Sequence, residues 1–149
     1  MTLPAIEFQR GDCPEIEAFL AQRIYEFNAR TTGYFDAEAY AAVRRDETGA
    51  IIAGICGHTW GGVCFISHLW VAQAHRGRGW GGALMRAAEQ NGRNKGCAYA
   101  LLSSHSFQSP GFYMRMGYQP RGTVQDCPLG HADVFFAKRL DLPAHAGTQ

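Results

Sequence analysis

Apolar side chains follow two rhythms along the chain, and the order of elements changes near residue 72. Ile16, Phe19, Leu20, Ile24 and Phe27 recur at three- and four-residue intervals, which places them on one helical face and predicts a helix over residues 12–28. Asp12 ahead of it and Glu15 three residues on form a capping-box pattern, and Pro14 suits the first turn. A loop near residues 31–33 follows. Residues 40–45, 50–55 and 63–71 (VCFISHLWV) then read as strands, separated by turn chemistry at residues 46–49 and at Gly61-Gly62, so an antiparallel meander is expected. Beyond it, helix and strand alternate. Residues 81–91 carry Leu84, Met85 and Ala88 on one helical face, and residues 92–96 stop that helix. The run AYALL at 98–102 is short and wholly apolar, as expected of a strand covered on both faces. Ser109 and Pro110 read as N-cap and first residue of a short helix through Met116, closed by Gly117. Strands near 119–124 and 133–138 (DVFFAK) complete the order. The fold class expected is α/β in the α+β sense: a mixed, mostly antiparallel sheet flanked by helices.

The 149 residues suit one domain, expected over residues 1–141, with residues 142–149 as a frayed tail. Hydrophobic residues at 46% and charged residues at 18% exclude a disordered chain. A net charge of +1 leaves no electrostatic footprint for a nucleic-acid partner. No apolar run approaches the ~20 residues of a membrane span, and residues 1–10 lack the basic head and apolar stretch of a secretory signal. Cys13, Cys56, Cys64, Cys97 and Cys127 are odd in number and widely spaced, without C-x-x-C or Cys/His ligand spacing. No metal site or disulfide framework is expected, and scattered thiols point to a reducing compartment, the cytoplasm by default.

Glycine changes the picture. There are 18, about 12% against a usual ~7%, and eight fall within residues 54–82. The segment from Val71 to Leu84 runs from a strand through a turn with Gly77, Gly79, Gly81 and Gly82 into a helix. Successive backbone N–H groups and a helix N-terminus there would form an anion cradle, with Arg76 and Arg78 beside it. An ordinary glycine-rich turn satisfies the same pattern. Gly77, Gly79 and Gly82 also match G-x-G-x-x-G, but the acidic residue that a dinucleotide site needs about 20 positions on is missing, and the preceding strands read as hairpins. A P-loop is excluded, because no Gly-Lys-Ser/Thr follows.

Arg76-Gly-Arg-Gly79-Trp-Gly81 resembles the R/Q-x-x-G-x-G/A pyrophosphate loop of the GNAT superfamily of N-acetyltransferases, within a matching strand–loop–helix segment, LWVAQAHRGRGWGGALM. Downstream, Phe112-Tyr-Met-Arg-Met-Gly-Tyr118 resembles the F-Y-x-x-x-G-F/Y signature of the same superfamily. The two motifs cover roughly residues 67–118. The resemblance implies a single-domain GNAT-like fold in which the strand before the loop splays from its neighbour and acetyl-CoA lies in the opening. By position, Leu69, Trp70 and Val71 would offer backbone groups to the pantetheine arm. Arg76, Gly77, Arg78, Gly79, Trp80, Gly81 and Gly82 would wrap the pyrophosphate. Trp80 stands where the family usually has Ile or Val, and packing under the loop is its expected role. Ser106 stands where many members place an Asn that hydrogen-bonds the cofactor, and Phe112 packs beside it. Tyr113 matches the tyrosine that protonates the departing thiolate.

The implied activity is transfer of an acetyl group from acetyl-CoA to a primary amine of a small molecule or peptide, by direct attack in a ternary complex, without metal. A catalytically silent acyl-CoA sensor on the same fold is the alternative, and RNA contact through the Arg-Gly cluster is a third reading that the near-neutral charge disfavours. The amine must lose a proton. His68, on the strand beside the splay, is the candidate base, with His105, His131 and Asp126 as further candidates. Tyr25, Tyr34, Phe35 and Tyr40 mark a partly aromatic acceptor wall or core. The family often dimerises, so a homodimer is among the partner expectations; nucleic acid and membrane are not.

Overall fold

The computed structural model describes residues 1–141 and separates a helical unit, Met1–Phe35, from an α/β unit that begins at Asp36. The expected tail, 142–149, lies outside the described residues. In the helical unit, α1 spans Pro14–Thr32, so the predicted helix continues one turn beyond residue 28. The capping box does not form. Cys13 is the N-cap without a side-chain hydrogen bond, and Pro14, which needs no N–H partner, opens the helix. Gly33, left-handed at φ 80°, ends it by donating to the Ala29 carbonyl at 2.8 Å. The periodic apolar residues of α1, Phe19 and Phe27 among them, are exposed.

The α/β unit runs β1 (Glu38–Arg45), β2 (Ile51–Trp60), β3 (Val63–Val71), α2 (Trp80–Asn94), β4 (Tyr99–His105), α3 (Pro110–Arg115), β5 (Gln119–Gln125) and β6 (Ala132–Arg139). The six strands form one sheet in the order β1-β2-β3-β4-β6-β5. All neighbours are antiparallel except β3 and β4, which are parallel. Two hairpins are as read. Asp46 Oδ1 accepts from the Thr48 and Ala50 amides and sets the first, and Gly61-Gly62, both at positive φ, turn the second. Three readings differ from expectation. Strand β2 continues through Gly54 and Gly57 to Trp60. Helix α2 passes through Gly92, which is buried where a Cβ would stand 3.0 Å from the Cys64 Cβ, so this glycine is the contact point of α2 on β3 and not a stop. Strand β4 is covered on one face only within this unit: Ala100, Leu102 and Ser104 are buried, whereas Ser103 is exposed.

The parallel seam is short. Only Val63, Cys64 and Phe65 of β3 pair with β4, opposite Tyr99, Ala100 and Leu101. Past these, β3 stays bonded to β2 as far as Val71, and β4 stays bonded to β6 as far as His105. Two antiparallel half-sheets therefore meet at three residue pairs and then part. The parting begins at a bulge in β3: Cys56 faces His68 and Gly57 faces Ile66, which leaves Ser67 as the extra residue. At this point the Tyr40 hydroxyl donates to the Phe65 carbonyl at 2.9 Å. Gly57 permits the approach, because a Cβ there would stand 1.9 Å from the Phe65 oxygen and 2.8 Å from the Tyr40 oxygen.

Helix α2 packs on β1 to β4 through Leu84, Met85 and Ala88, against Ala53, Ile55, Cys64 and Ile66. One buried charge crosses this layer. Glu89, 2% exposed, accepts from Lys138 at 3.0 and 3.1 Å and from the Tyr118 hydroxyl at 3.1 Å. Tyr118, the last residue of the second motif, thereby ties the segment after α3 to α2, and burial, with the Glu89 carboxylate beside it, pushes its phenol far above the ordinary tyrosine range.

Gly57→Ala should destabilise the protein by at least about 3 kcal/mol, the upper end of ordinary overpacking, because backbone and not a flexible side chain must yield. Gly54→Ala is the control: its Cβ would meet the Val43 methyl at 3.2 Å, and the cost should stay below about 1.5 kcal/mol. Denaturant melts of the two variants check the contrast.

Candidate active site

The parted strands enclose a cavity of about 820 Å³. One wall is the outer half of β3, from Ile66 through the Ser67 bulge to His68, Leu69, Trp70 and Val71; the other is Leu102, Ser103 and Ser104 of β4. Phe112 and Tyr113 of α3 close one side, and the glycine turn closes the end.

The turn is built by the chain leaving β3. The Ala72 amide donates to the Ile52 carbonyl at 2.8 Å, a single 3₁₀ turn covers Gln73–His75, and Arg76 is extended. Gly77 and Gly79 then take left-handed φ values of 74° and 86°, a conformation L side chains rarely adopt, and α2 starts at Trp80. No side chain caps α2 and no acidic residue sits in its first turn. Its leading amides and its positive dipole end are thus left for an anion. Arg86, one turn along, reaches back so that its Nη1 would lie 3.1 Å from a Cβ on Gly82. Gly81 lets the Phe112 ring approach, with Cζ 3.4 Å from where a Cβ would be.

Of the residues singled out in the sequence, the structure brings to this cavity His68, Leu69, Trp70 and Val71, then Arg76, Gly77 and Gly79, then Trp80, Gly81 and Gly82, and finally Phe112 and Tyr113. Arg76 turns back onto its own strand, its Nε donating to the Val71 carbonyl at 3.0 Å, which closes the loop. Trp80 lies under Arg44, whose guanidinium carbon is 5.1 Å from the ring centroid. Arg78 is exposed and is not among the cavity-lining residues. Ser106 is a correction. Its amide donates to the Ala132 carbonyl at 2.8 Å and its Oγ accepts from the Ala132 amide at 3.0 Å, so the residue closes the end of the β4–β6 ladder and lies outside the cavity lining.

Tyr113 packs among the rings of Phe112, Tyr118 and Phe136, at centroid distances of 5.1, 6.2 and 6.0 Å. Burial pushes its phenol above the ordinary tyrosine value, so it stays protonated at neutral pH. His68 is exposed on the cavity wall, its Nδ1 3.6 Å from the Cys56 Sγ. His105, His131 and Asp126 are not in the lining. His105 Nδ1 sits 3.2 Å from the Cys127 carbonyl oxygen and 3.7 Å from Asp133 Oδ1, its ring stacked on Phe107. His131 meets the edge of that same phenylalanine, and Asp126 Oδ1 accepts from the Gly130 amide. Ser104, Phe107, Gln108 and Arg115 line the cavity without having been singled out; only their place past the end of the seam brings them there. Among the described residues no group of three or more His, Cys, Asp or Glu side chains could hold a metal, and no helix is long and apolar enough to cross a membrane.

A short parallel seam opening beside a capless helix N-terminus suits an anionic, extended ligand. The profile of the acetyltransferase (GNAT) family matches residues 5–118, and the chain belongs to that family. Over 104 residues it is 34% identical to blasticidin-S acetyltransferase of Streptomyces morookaense, covering 69% of this chain and 76% of that one. A crystal structure of an acetyltransferase from Bacillus cereus superposes with a TM-score of 0.75 at 30% identity, covering 89% of this chain and 97% of that one. An aminoglycoside 6'-N-acetyltransferase solved with coenzyme A shares the fold at a TM-score of 0.61 and 16% identity, over 71% of this chain and 74% of that one.

Gly79→Ala should strain the residue preceding α2 by about 1–2 kcal/mol, the cost of a left-handed conformation with a Cβ. It should weaken coenzyme A binding in calorimetry more than it lowers the melting temperature, because the strain relaxes by rotating the leading amides.

Proposed function

We propose that the chain is an N-acetyltransferase that moves the acetyl group of acetyl-CoA to a primary amine of a small molecule by direct attack in a ternary complex. The observation that carries this reading is the placement of Tyr113 and the left-handed glycine turn on one cavity, opened by the parting of β3 from β4. The thioester supplies an activated acetyl group; the chain supplies position and protons. The turn from Arg76 to Gly82 receives the pyrophosphate through backbone amides. The free edge of β3 at Leu69, Trp70 and Val71 presents backbone groups to the arm. His68 takes the proton of the incoming ammonium from its exposed place on the wall. Tyr113 gives its proton to the departing thiolate.

The acceptor class rests on the relatives, one named for blasticidin S and one for an aminoglycoside. The helical and α/β units act as one acetyltransferase domain, since residues of both fall inside the family match. Five free cysteines support a reducing, cytoplasmic setting.

The test is thiol release from acetyl-CoA over an amine panel that includes blasticidin S, with the Tyr113→Phe variant beside wild type. Turnover should fall about 10²–10⁴-fold in the variant, the usual scale of acid–base catalysis, with acetyl-CoA affinity nearly unchanged. The pH dependence has a definite sign. The donor is active while protonated and its phenol is raised, so wild-type activity should persist past the ordinary tyrosine value of about 10 and fall only above it, a limb the variant lacks. Near-normal turnover in Tyr113→Phe would remove it from the mechanism, and cofactor binding without turnover on any amine would favour a sensor.

A further inference from the structure

Two buried side-chain polar atoms have no hydrogen-bond partner among the described residues, Ser104 Oγ and Asp133 Oδ1. They sit one register step apart at the end of the β4–β6 ladder, where Ser104 faces Val134 and His105 faces Asp133. Asp133 has the His105 ring 3.7 Å away. Ser104 has nothing comparable. It is 3% exposed, it shares the buried face of Ala100 and Leu102, and it lines the cavity three residues past Leu101, the last β4 residue paired with β3. A buried hydroxyl without a partner destabilises a fold, and alanine, which the strand uses at position 100, would avoid that cost.

We propose that the Ser104 hydroxyl is kept for a ligand and hydrogen-bonds the pantetheine arm of acetyl-CoA near its thioester end. This rests on the acetyl-CoA reading and adds a side-chain contact to it. The strand directions decide which part of the ligand is met. Both strands run outward from the seam, and the glycine turn follows the outer end of β3, so the pyrophosphate end of the ligand lies outermost. Ser104 lies on the opposite wall, between the seam and that end, with Tyr113 on the same cavity. The arm carries amides that both donate and accept, and a serine hydroxyl can answer either. Ser67, Ser103 and Ser109 also line the cavity but are exposed, so among its serines Ser104 is the one whose hydroxyl is buried without a partner; Ser106 lies outside the lining.

Calorimetric titration of wild type and Ser104→Ala with acetyl-CoA, coenzyme A and adenosine 3',5'-bisphosphate tests the assignment, beside thermal melts of both ligand-free proteins. The variant should bind acetyl-CoA and coenzyme A about 3- to 10-fold more weakly, the worth of one hydrogen bond. It should bind the bisphosphate, which lacks the arm, as wild type does, and it should melt at the same or a higher temperature. Equal affinities for all three ligands overturn the assignment, and so does a uniform loss for all three. If wild type binds none of them, the acetyl-CoA reading falls and takes this one with it; if wild type binds and the variant matches it, Ser104 alone is wrong.

Discussion

Everything at the site depends on where two parallel strands stop pairing. The seam between β3 and β4 is three residue pairs long, and beyond it each strand is held by an antiparallel neighbour on its far side. A strand edge that leaves one partner normally exposes orphaned backbone groups. Here the orphans border the open cavity, and they cannot re-pair, because β2 and β6 fix β3 and β4 in separate half-sheets. The opening is thus a property of the folded sheet, available before any ligand arrives. Its inner limit is set by Tyr40, Gly57 and the Ser67 bulge, which draw the Phe65 carbonyl toward β2 and β1 and away from further pairing with β4.

The chemistry then follows from what borders the opening. At its outer end, glycines in left-handed conformation deliver the chain into α2 with no capping side chain and no acid in the first turn, so the strongest local field is the helix's own positive end. On its side, α3 sets Tyr113 among other rings, where loss of water keeps the phenol protonated. The buried Glu89–Lys138–Tyr118 cluster links α2, β6 and the end of the α3 segment. The two motifs of the sequence therefore serve one cavity while being braced by one carboxylate. Removing Lys138 would leave the buried Glu89 carboxylate with only the more distant Arg93, at 4.0 Å, which is costly even where the intact pair adds little.

Much of this was readable from sequence wherever short-range pattern decides the structure. The meander, the glycine turn and the F-Y-x-x-x-G-Y segment lie where their local chemistry puts them. What escaped depends on contacts distant in sequence. Tyr40 and Phe65 are 25 residues apart, and only the finished ladder shows why Gly57 sits in a strand. Gly92 looked like a helix stop, yet close packing on Cys64 makes it an interior helical residue. Ser106 is a similar case. The position of Ser106 in the motif points to the cofactor, but β4 ends at His105, and Ser106 beyond it accepts from the Ala132 amide outside the cavity lining that Ser104 reaches. The exposed apolar residues of α1 show the converse case: periodicity named the helix but not its surroundings.

Amide hydrogen exchange, residue by residue, with and without acetyl-CoA, is the most direct test of a cleft built into the sheet. In the free protein the amides of β3 past the bulge, residues 68–71, should divide into those bonded to β2, which exchange slowly, and those facing β4, which exchange fast. Acetyl-CoA should slow the fast set and the leading amides of α2 while leaving the three seam pairs unchanged. Slow exchange of the β4-facing amides in the free protein, or protection appearing on the seam only when ligand is added, would contradict the account.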